Sequence, residues 1–233
     1  MIAVALIGPD GSGKTTIARR LEREVGLPAR YVYMGVSPDA SNRMLPTTRA
    51  LRALANARGR KADAGGPPPP PGDAGRPGGS AGRRLLAGVK RLLRLVNLLA
   101  EEWYRQTLVW YYKSRGVVVI LDRHWFADYH AHDIAGGTGR SLDRRIHGFL
   151  LSRLYPQPDL VVFLDAPPEV LLARKGEGTI DDLARRREDY LRAGTSIAHF
   201  TVVDATRSAD EVTRELVGLI RRLAPCRGPE AAA

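Results

Sequence analysis

Short apolar runs alternate along the chain with amphipathic stretches whose apolar residues recur at helical spacing. The apolar runs predict five β-strands, at residues 2–7, 31–33, 117–121, 160–164 and 200–203. The amphipathic stretches predict helices at residues 15–25, 44–58, 85–114, 142–154, 168–174, 180–192 and 209–223. The first, third and fourth runs are apolar throughout, which is typical of parallel strands buried on both faces. The alternation therefore predicts an α/β fold, a five-stranded parallel sheet sandwiched by helices.

One segment, residues 59–82, interrupts this alternation. Its sequence, GRKADAGGPPPPPGDAGRPGGSAG, has almost no large apolar residue. Such a composition cannot bury enough apolar surface to offset the entropy lost on ordering, so we predict a disordered, partly polyproline insertion. The chain has 233 residues, of which 44% are hydrophobic, and this is enough for one sizeable core. We therefore expect a single domain over residues 1–233 that carries the insertion.

The basic charge is concentrated in one region. The net charge is +11, and residues 49–115 alone hold 14 Lys and Arg against four Asp and Glu. Such a stripe can bind nucleic acid or an acidic membrane surface, but a solvated helix face is the favoured interpretation. The charges within the long helix at 85–114 are too frequent for a bilayer span.

Cysteine content and the amino-terminal sequence bear on the compartment. The only cysteine is Cys226, so no intrachain disulfide is possible. The apolar run IAVALIG is too short for a secretory leader and ends in glycine. We expect a cytoplasmic protein.

Residues 8–15, GPDGSGKT, fit the pattern G-x-x-x-x-G-K-[ST] between the first predicted strand and the first predicted helix. Glycines let the backbone N–H groups curl toward a phosphate, and the helix dipole adds positive potential. Lys14 would reach the β- and γ-phosphates, and Thr15 would bind Mg²⁺. The segment predicts a P-loop NTPase. The nucleotide-binding residues expected are Gly8, Asp10, Gly11, Ser12, Gly13, Lys14, Thr15 and Thr16.

Asp122 and Arg123 follow the third predicted strand, at the sheet edge where the P-loop is expected. A carboxylate there can hold Mg²⁺ or accept a proton, and a guanidinium can bind a phosphate through two hydrogen bonds. A bare Asp-Arg pair also suits a helix cap or a surface ion pair. Its position after a buried strand favours a site, with Thr15 and Asp122 as the metal ligands.

Five segments together give the chain a family resemblance. They are GPDGSGKTT, LDRHWFADYH, YPQPDLVVFLDAPPEVLLARK, ARRREDYLRA and VVDATRSADEV. The chain resembles the thymidylate kinases, and more closely the thymidylate-kinase-like proteins of bacteria, over most of its length outside the insertion. The resemblance implies a nucleoside monophosphate kinase fold and an ATP- and Mg²⁺-dependent transfer to a nucleotide, with dTMP as the default acceptor. It also makes a homodimer formed through the long helix an expectation.

The resemblance further implies roles for single residues. Asp10 would point at the acceptor and bind a sugar hydroxyl, Asp122 would act beside Mg²⁺, and Arg123 would contact the acceptor phosphate. Gly11 occupies a position where some relatives have a catalytic arginine, so the cation for the transition state would come from a mobile lid at about 174–187. Its candidates are Arg174, Lys175, Arg185, Arg186 and Arg187. The catalytic set expected is Lys14, Asp122, Arg123 and Arg174.

Departures from the family pattern leave the acceptor open. An Arg-Glu-Pro stretch is replaced by YVYMGVSPDASNRMLP, in which only Arg43 is basic. His124 replaces a tyrosine. The alternatives are a P-loop kinase of another small acceptor, such as a nucleoside or a sugar intermediate, and a nucleotide-binding scaffold that uses its basic region 49–115.

Two further groups of residues have simpler interpretations. His130 and His132 have no third ligand at the usual spacing, so we expect them, with His124, at the acceptor cavity or its rim rather than on zinc. Asp204 is expected to cap the turn after the fifth strand.

Overall fold

The structure, a computed structural model, describes residues 1–35, 81–124, 155–176 and 178–224, together with the single positions 45, 48, 53, 57, 146, 149, 150 and 153. In these parts of the chain the strands are β1 (Ala3–Ile7), β2 (Ala29–Tyr33), β3 (Val118–Asp122), β4 (Leu160–Asp165) and β5 (Phe200–Asp204). The helices are α1 (Lys14–Glu24), α2 (Ala81–Ser114), α3 (Pro168–Lys175), α4 (Ile180–Gly194) and α5 (Ala209–Leu223).

The five strands form one parallel sheet in the order β2-β3-β1-β4-β5. The chain leaves β1 toward one side of the sheet and later returns to pair β4 with its other side. The carboxyl ends of β3, β1 and β4 therefore meet where the strand order reverses, which is where ligands bind in open α/β sheets. The predicted fold class is confirmed.

Side chains of β1 alternate between two apolar layers because neighbouring residues of a strand point to opposite faces. Val4 and Leu6 belong to one layer, which the buried faces of α1 and α5 complete. Ala5 and Ile7 belong to the other, which includes Val109 of α2. All five residues of β1 are buried, as its uniformly apolar sequence predicts.

Helix α2 begins earlier than expected. It starts at Ala81, four residues before the predicted start at residue 85, and takes in the last two residues of the predicted insertion. Once a helix has nucleated, each added residue gains one hydrogen bond, and alanine has the highest helix propensity. Residues 59–80 lie outside the described residues, as does most of the predicted helices 44–58 and 142–154. Of their described residues, 48, 53, 57, 146, 149, 150 and 153 are helical, and Leu45, inside the first of these predictions, is not.

Helix α2 also exposes apolar side chains toward its amino-terminal half. Val89, Leu92, Leu93 and Val96 are each about half exposed or more. A homodimer formed through this helix stays a prediction, and so does binding of a polyanion by the basic region. Within the described parts of the chain, no helix has both the length and the apolarity to cross a membrane.

Candidate active site

The P-loop depends on glycine because its backbone has positive φ at Gly8, Gly11 and Gly13. A Cβ on Gly8 would lie 2.8 Å from the Leu164 carbonyl oxygen, and one on Gly11 would lie 2.7 Å from the Leu171 carbonyl oxygen. Any side chain at position 11 would therefore press on the backbone of α3 and would have to adopt a positive φ. Helix α1 begins directly after Gly13, which offers no side-chain cap to the helix amides.

Lys14, at the first position of α1, is buried. Its Nζ donates to the carbonyl oxygens of Gly8 and Pro9, each at 2.7 Å, and lies 3.5 Å from Ser12 Oγ. The loop thus solvates the buried ammonium with its own carbonyl groups, as a buried charge requires.

The Asp122 carboxylate lies at the end of β3 beside the P-loop and is fully buried. Its Oδ2 accepts hydrogen bonds from Thr15 Oγ1 at 2.6 Å and from the Tyr31 hydroxyl at 2.9 Å. Its Oδ1 is buried and has no hydrogen-bond partner among the described residues. Because Mg²⁺ is bound by hydroxyl and carboxylate oxygens together with waters, a free carboxylate oxygen beside a threonine hydroxyl suits it.

Arg123 has φ +71°, which is uncommon for a residue with a side chain. Its N–H donates to the Leu6 carbonyl oxygen at 3.0 Å, so its backbone remains tied to β1 while the chain turns away. Its Nη2 lies 2.7 Å from Asp10 Oδ1. Residues in such conformations concentrate at functional sites, where surrounding contacts hold them.

Basic side chains from several elements surround the Asp10 carboxylate. Arg123 lies on one side, and the Nη1 of Arg186 and the Nζ of Lys175 lie 3.4 and 3.8 Å from its carboxylate oxygens. Burial by itself would raise the pKa of this carboxyl. The cations Arg123, Lys14 and Lys175 outweigh burial and hold the pKa below its usual value, so the group is ionised at neutral pH.

The other candidate cations of the predicted lid have different partners. Arg187 forms two hydrogen bonds with Asp165 at the end of β4, at 2.6 and 2.7 Å, and these hold α4 to the sheet. Arg185 pairs with Asp182, its neighbour on the same helix. Arg174 Nη1 donates to the Ala205 carbonyl oxygen at 2.8 Å. The structure thus brings Lys175 and Arg186 to Asp10, and it places Arg174 beside the exit of β5.

The turn after β5 is capped as the sequence predicts. Asp204 Oδ1 accepts hydrogen bonds from the Thr206 N–H at 2.8 Å and from the Thr206 hydroxyl at 2.6 Å. These bonds lower the pKa of Asp204.

His124 follows Arg123 and is buried, with its ring centroid 5.8 Å from that of Tyr155. Burial lowers the pKa of the imidazole to about 3, so it is neutral at physiological pH. The other residues expected near the acceptor, His130 and His132, lie outside the described residues. So does Arg43.

Sequence reasoning missed Tyr31, which donates to Asp122 from the neighbouring strand β2. Burial, and then the Asp122 charge, raise the pKa of this tyrosine well above its usual value, so it stays a donor. The signal in the sequence is weak. A tyrosine in a short apolar run is also an ordinary core residue.

A parallel sheet with a P-loop after β1 and a buried carboxylate after the adjacent β3 defines a P-loop nucleotide-binding protein. A sequence profile of the family described as Thymidylate kinase matches residues 87–216. A thymidylate kinase of Xanthomonas oryzae pv. oryzae is 30% identical over 227 residues, which cover 94% of this chain and 82% of that protein. The chain belongs to the thymidylate kinase family.

Two further relatives match over shorter stretches. A probable thymidylate kinase 1 of Saccharolobus solfataricus is 31% identical over 111 residues, 45% of this chain and 55% of that protein. A thymidylate kinase of Burkholderia pseudomallei is 32% identical over 126 residues, 47% of this chain and 57% of that protein. The chain thus matches a little more than half the length of these two relatives.

Proposed function

We propose that this protein is an ATP- and Mg²⁺-dependent phosphotransferase that acts on a nucleoside monophosphate, with dTMP as the default acceptor. Membership of the thymidylate kinase family and the printed names of its relatives support the reaction. The observation that carries the proposal is the convergence of three groups at one edge of the sheet. They are the Lys14 ammonium on its loop, the Thr15–Asp122 pair and the Asp10–Arg123 pair.

On the donor side, the P-loop amides and Lys14 bind the polyphosphate of ATP. The ammonium exchanges the carbonyl oxygens of Gly8 and Pro9 for phosphate oxygens, so it is satisfied with and without nucleotide. Thr15 and Asp122 would hold Mg²⁺, with the Thr15 hydroxyl and Asp122 Oδ1 as the ligand atoms, since Oδ1 has no hydrogen-bond partner among the described residues. When bound, the metal neutralises charge on the phosphate oxygens during transfer.

On the acceptor side, Arg123 binds the acceptor phosphate through its guanidinium fork. Asp10 holds Arg123 in place and accepts a hydrogen bond from a sugar hydroxyl of the acceptor. Lys175 and Arg186 already lie near this carboxylate, so small movements of the lid bring them to the transferring phosphoryl group. A cation that arrives with lid closure stabilises charge that grows only during transfer, and closure excludes water.

An acceptor panel tests the proposal. Purified protein with Mg²⁺ and ATP is offered dTMP, the other nucleoside monophosphates, thymidine and sugar phosphates, and ADP formation is measured against a reaction without acceptor. We expect the highest kcat/KM with dTMP. Folded protein that turns over another compound but not dTMP would contradict the acceptor, and folded protein that turns over none would contradict the phosphotransferase.

A further inference from the structure

A buried ion pair on α2 holds the chain on both sides of residues 36–44. Arg105 Nη1 donates to the Gly35 carbonyl oxygen at 2.8 Å, directly after β2. The Leu45 N–H lies 3.2 and 3.3 Å from the two carboxylate oxygens of Glu101. The two side chains are one helical turn apart, with Arg105 Nη2 3.7 Å from Glu101 Oε2, and they are 4% and 8% exposed.

Stability alone gives little reason for such a pair. Removing two charges from water is expensive, and a buried ion pair often contributes no more than apolar side chains of similar volume. This pair fixes the position of the backbone at two points, because Arg105 bonds the Gly35 carbonyl group and Glu101 bonds the Leu45 N–H. We call Glu101 and Arg105, with the bonds to Gly35 and Leu45, the clasp.

The clasp connects to the acceptor side through Gly35. A Cβ at this position would lie 2.5 Å from Arg123 Cδ and 2.5 Å from the Tyr33 hydroxyl oxygen, so the backbone of Gly35 packs directly against the arginine. Residue 34 is fixed as well, because the Met34 N–H donates to the Asp122 carbonyl oxygen at 2.9 Å. A displacement of Gly35 therefore changes the space available to the Arg123 side chain.

We infer that Glu101 and Arg105 are positioning residues for the acceptor. By fixing Gly35 and Leu45, they hold the Gly35 backbone against Arg123 and keep that side chain aimed at the acceptor phosphate. The inference rests on the proposed function, since it assigns the clasp to the acceptor of that reaction. It predicts that removal of the clasp weakens binding of the acceptor and leaves binding of ATP unchanged.

The test uses a double variant, Glu101→Leu with Arg105→Met. It removes both charges of this pair together, so neither is left buried without the other, and an unchanged ATP KM reports that the fold is kept. Hydrogen exchange at the Met34 and Leu45 amides should accelerate by about tenfold. The acceptor KM should rise by about tenfold, while the ATP KM changes by less than about twofold. Arg105→Lys, which keeps the charge and one donor toward Gly35, should recover part of the acceptor affinity.

Lys113→Met is the matched control, because it breaks another α2 ion pair, to Asp159 at 2.6 Å, which lies further along the helix and directly before β4. It should leave exchange at the Met34 and Leu45 amides and the acceptor KM unchanged. Unchanged exchange in the double variant would overturn the clasp. Faster exchange with equal changes in both KM values would overturn its role in acceptor positioning. Failure of the proposed function is seen separately, as absent turnover by the wild-type protein.

Discussion

At the scale of single residues, the buried Asp122 carboxylate accepts hydrogen bonds from described residues through Oδ2 and not through Oδ1. Asp122→Asn keeps the shape of the side chain and replaces a carboxylate oxygen with an amide group, which is a poor Mg²⁺ ligand. We expect kcat/KM to fall by about 10²-fold or more, and the Mg²⁺ concentration for half-maximal turnover to rise. Turnover measured over a Mg²⁺ series checks both.

Tyr31→Phe is the matched control for this substitution. It removes the other hydrogen bond to Asp122 Oδ2 and leaves the carboxylate in place. Its Mg²⁺ dependence should stay close to that of the wild type. If Asp122→Asn and the wild type share one Mg²⁺ dependence, then Asp122 is not a metal ligand.

His124 gives the protein a pH-dependent stability. Its pKa falls from 6.5 to about 3 on folding because burial disfavours the imidazolium ion. Between these values the unfolded chain binds the extra proton, so stability is fully present above pH 6.5 and is lost as the pH falls toward 3. The loss between pH 7 and pH 5 is about 2 kcal/mol. Urea unfolding at the two pH values measures it.

The variants for this prediction are His124→Leu and His199→Gln. The first removes the group whose pKa shifts, so its free energy of unfolding should lose about 2 kcal/mol less than that of the wild type over the same interval. The second changes an exposed histidine and should keep the wild-type difference. Equal pH dependence in wild type and His124→Leu would show that His124 is not buried in its neutral form.

At the scale of elements, α5 begins with a complete capping box. The Ser208 hydroxyl accepts from the Glu211 N–H at 3.3 Å, and the Glu211 carboxylate accepts from the Ser208 N–H at 3.0 Å. Ser208→Ala removes one of these bonds, and we expect the midpoint of thermal unfolding to fall by about 3 °C with kcat/KM unchanged. Ser196→Ala, at an exposed turn, should leave the midpoint where it is. A lower kcat/KM in Ser208→Ala would mean that α5 contributes to the site.

The strands and the P-loop can be predicted from the sequence because each depends on a pattern of neighbouring residues. Apolar runs predict all five strands to within two residues, and the P-loop pattern with its flanking strand and helix predicts the turn before Lys14. The positions of Asp122 and Arg123 follow, since a parallel sheet brings the ends of its strands to one edge.

The clasp, and the identity of the lid cations near Asp10, cannot be predicted from neighbouring residues in the sequence. Glu101 and Leu45 are 56 residues apart, and Arg105 and Gly35 are 70 apart, so their contacts depend on how α2 lies across the sheet. A run of basic residues predicts a lid, but it does not say which of its cations lie near Asp10. In the structure these are Lys175 and Arg186, while Arg174 donates to the Ala205 carbonyl oxygen. The turn between the two helices contains Gly176 and Gly178, both with positive φ, and its course cannot be derived from spacing alone.

At the scale of the whole molecule, binding of nucleotide links the P-loop to global stability. A ligand that binds only the folded state stabilises it by about 2.7 kcal/mol when its concentration is 100 times its Kd. For a chain of this length, that corresponds to about 5–10 °C in the midpoint of thermal unfolding. We expect this shift when Mg²⁺ and ATP are added together to the wild-type protein, and a much smaller shift when EDTA removes the metal.

Lys14→Ala separates binding from folding. Without nucleotide, this variant gives up the bonds from the ammonium to Gly8 and Pro9 but also avoids burying a charge, so its midpoint should stay near that of the wild type. With Mg²⁺ and ATP, its shift should be largely lost, because the β- and γ-phosphates no longer meet the lysine. Lys113→Met should shift like the wild type, since its partner Asp159 lies beside the amino-terminal ends of β1 and β4, away from the P-loop. A full shift in Lys14→Ala would place the nucleotide away from the P-loop, and the proposed donor side would be wrong.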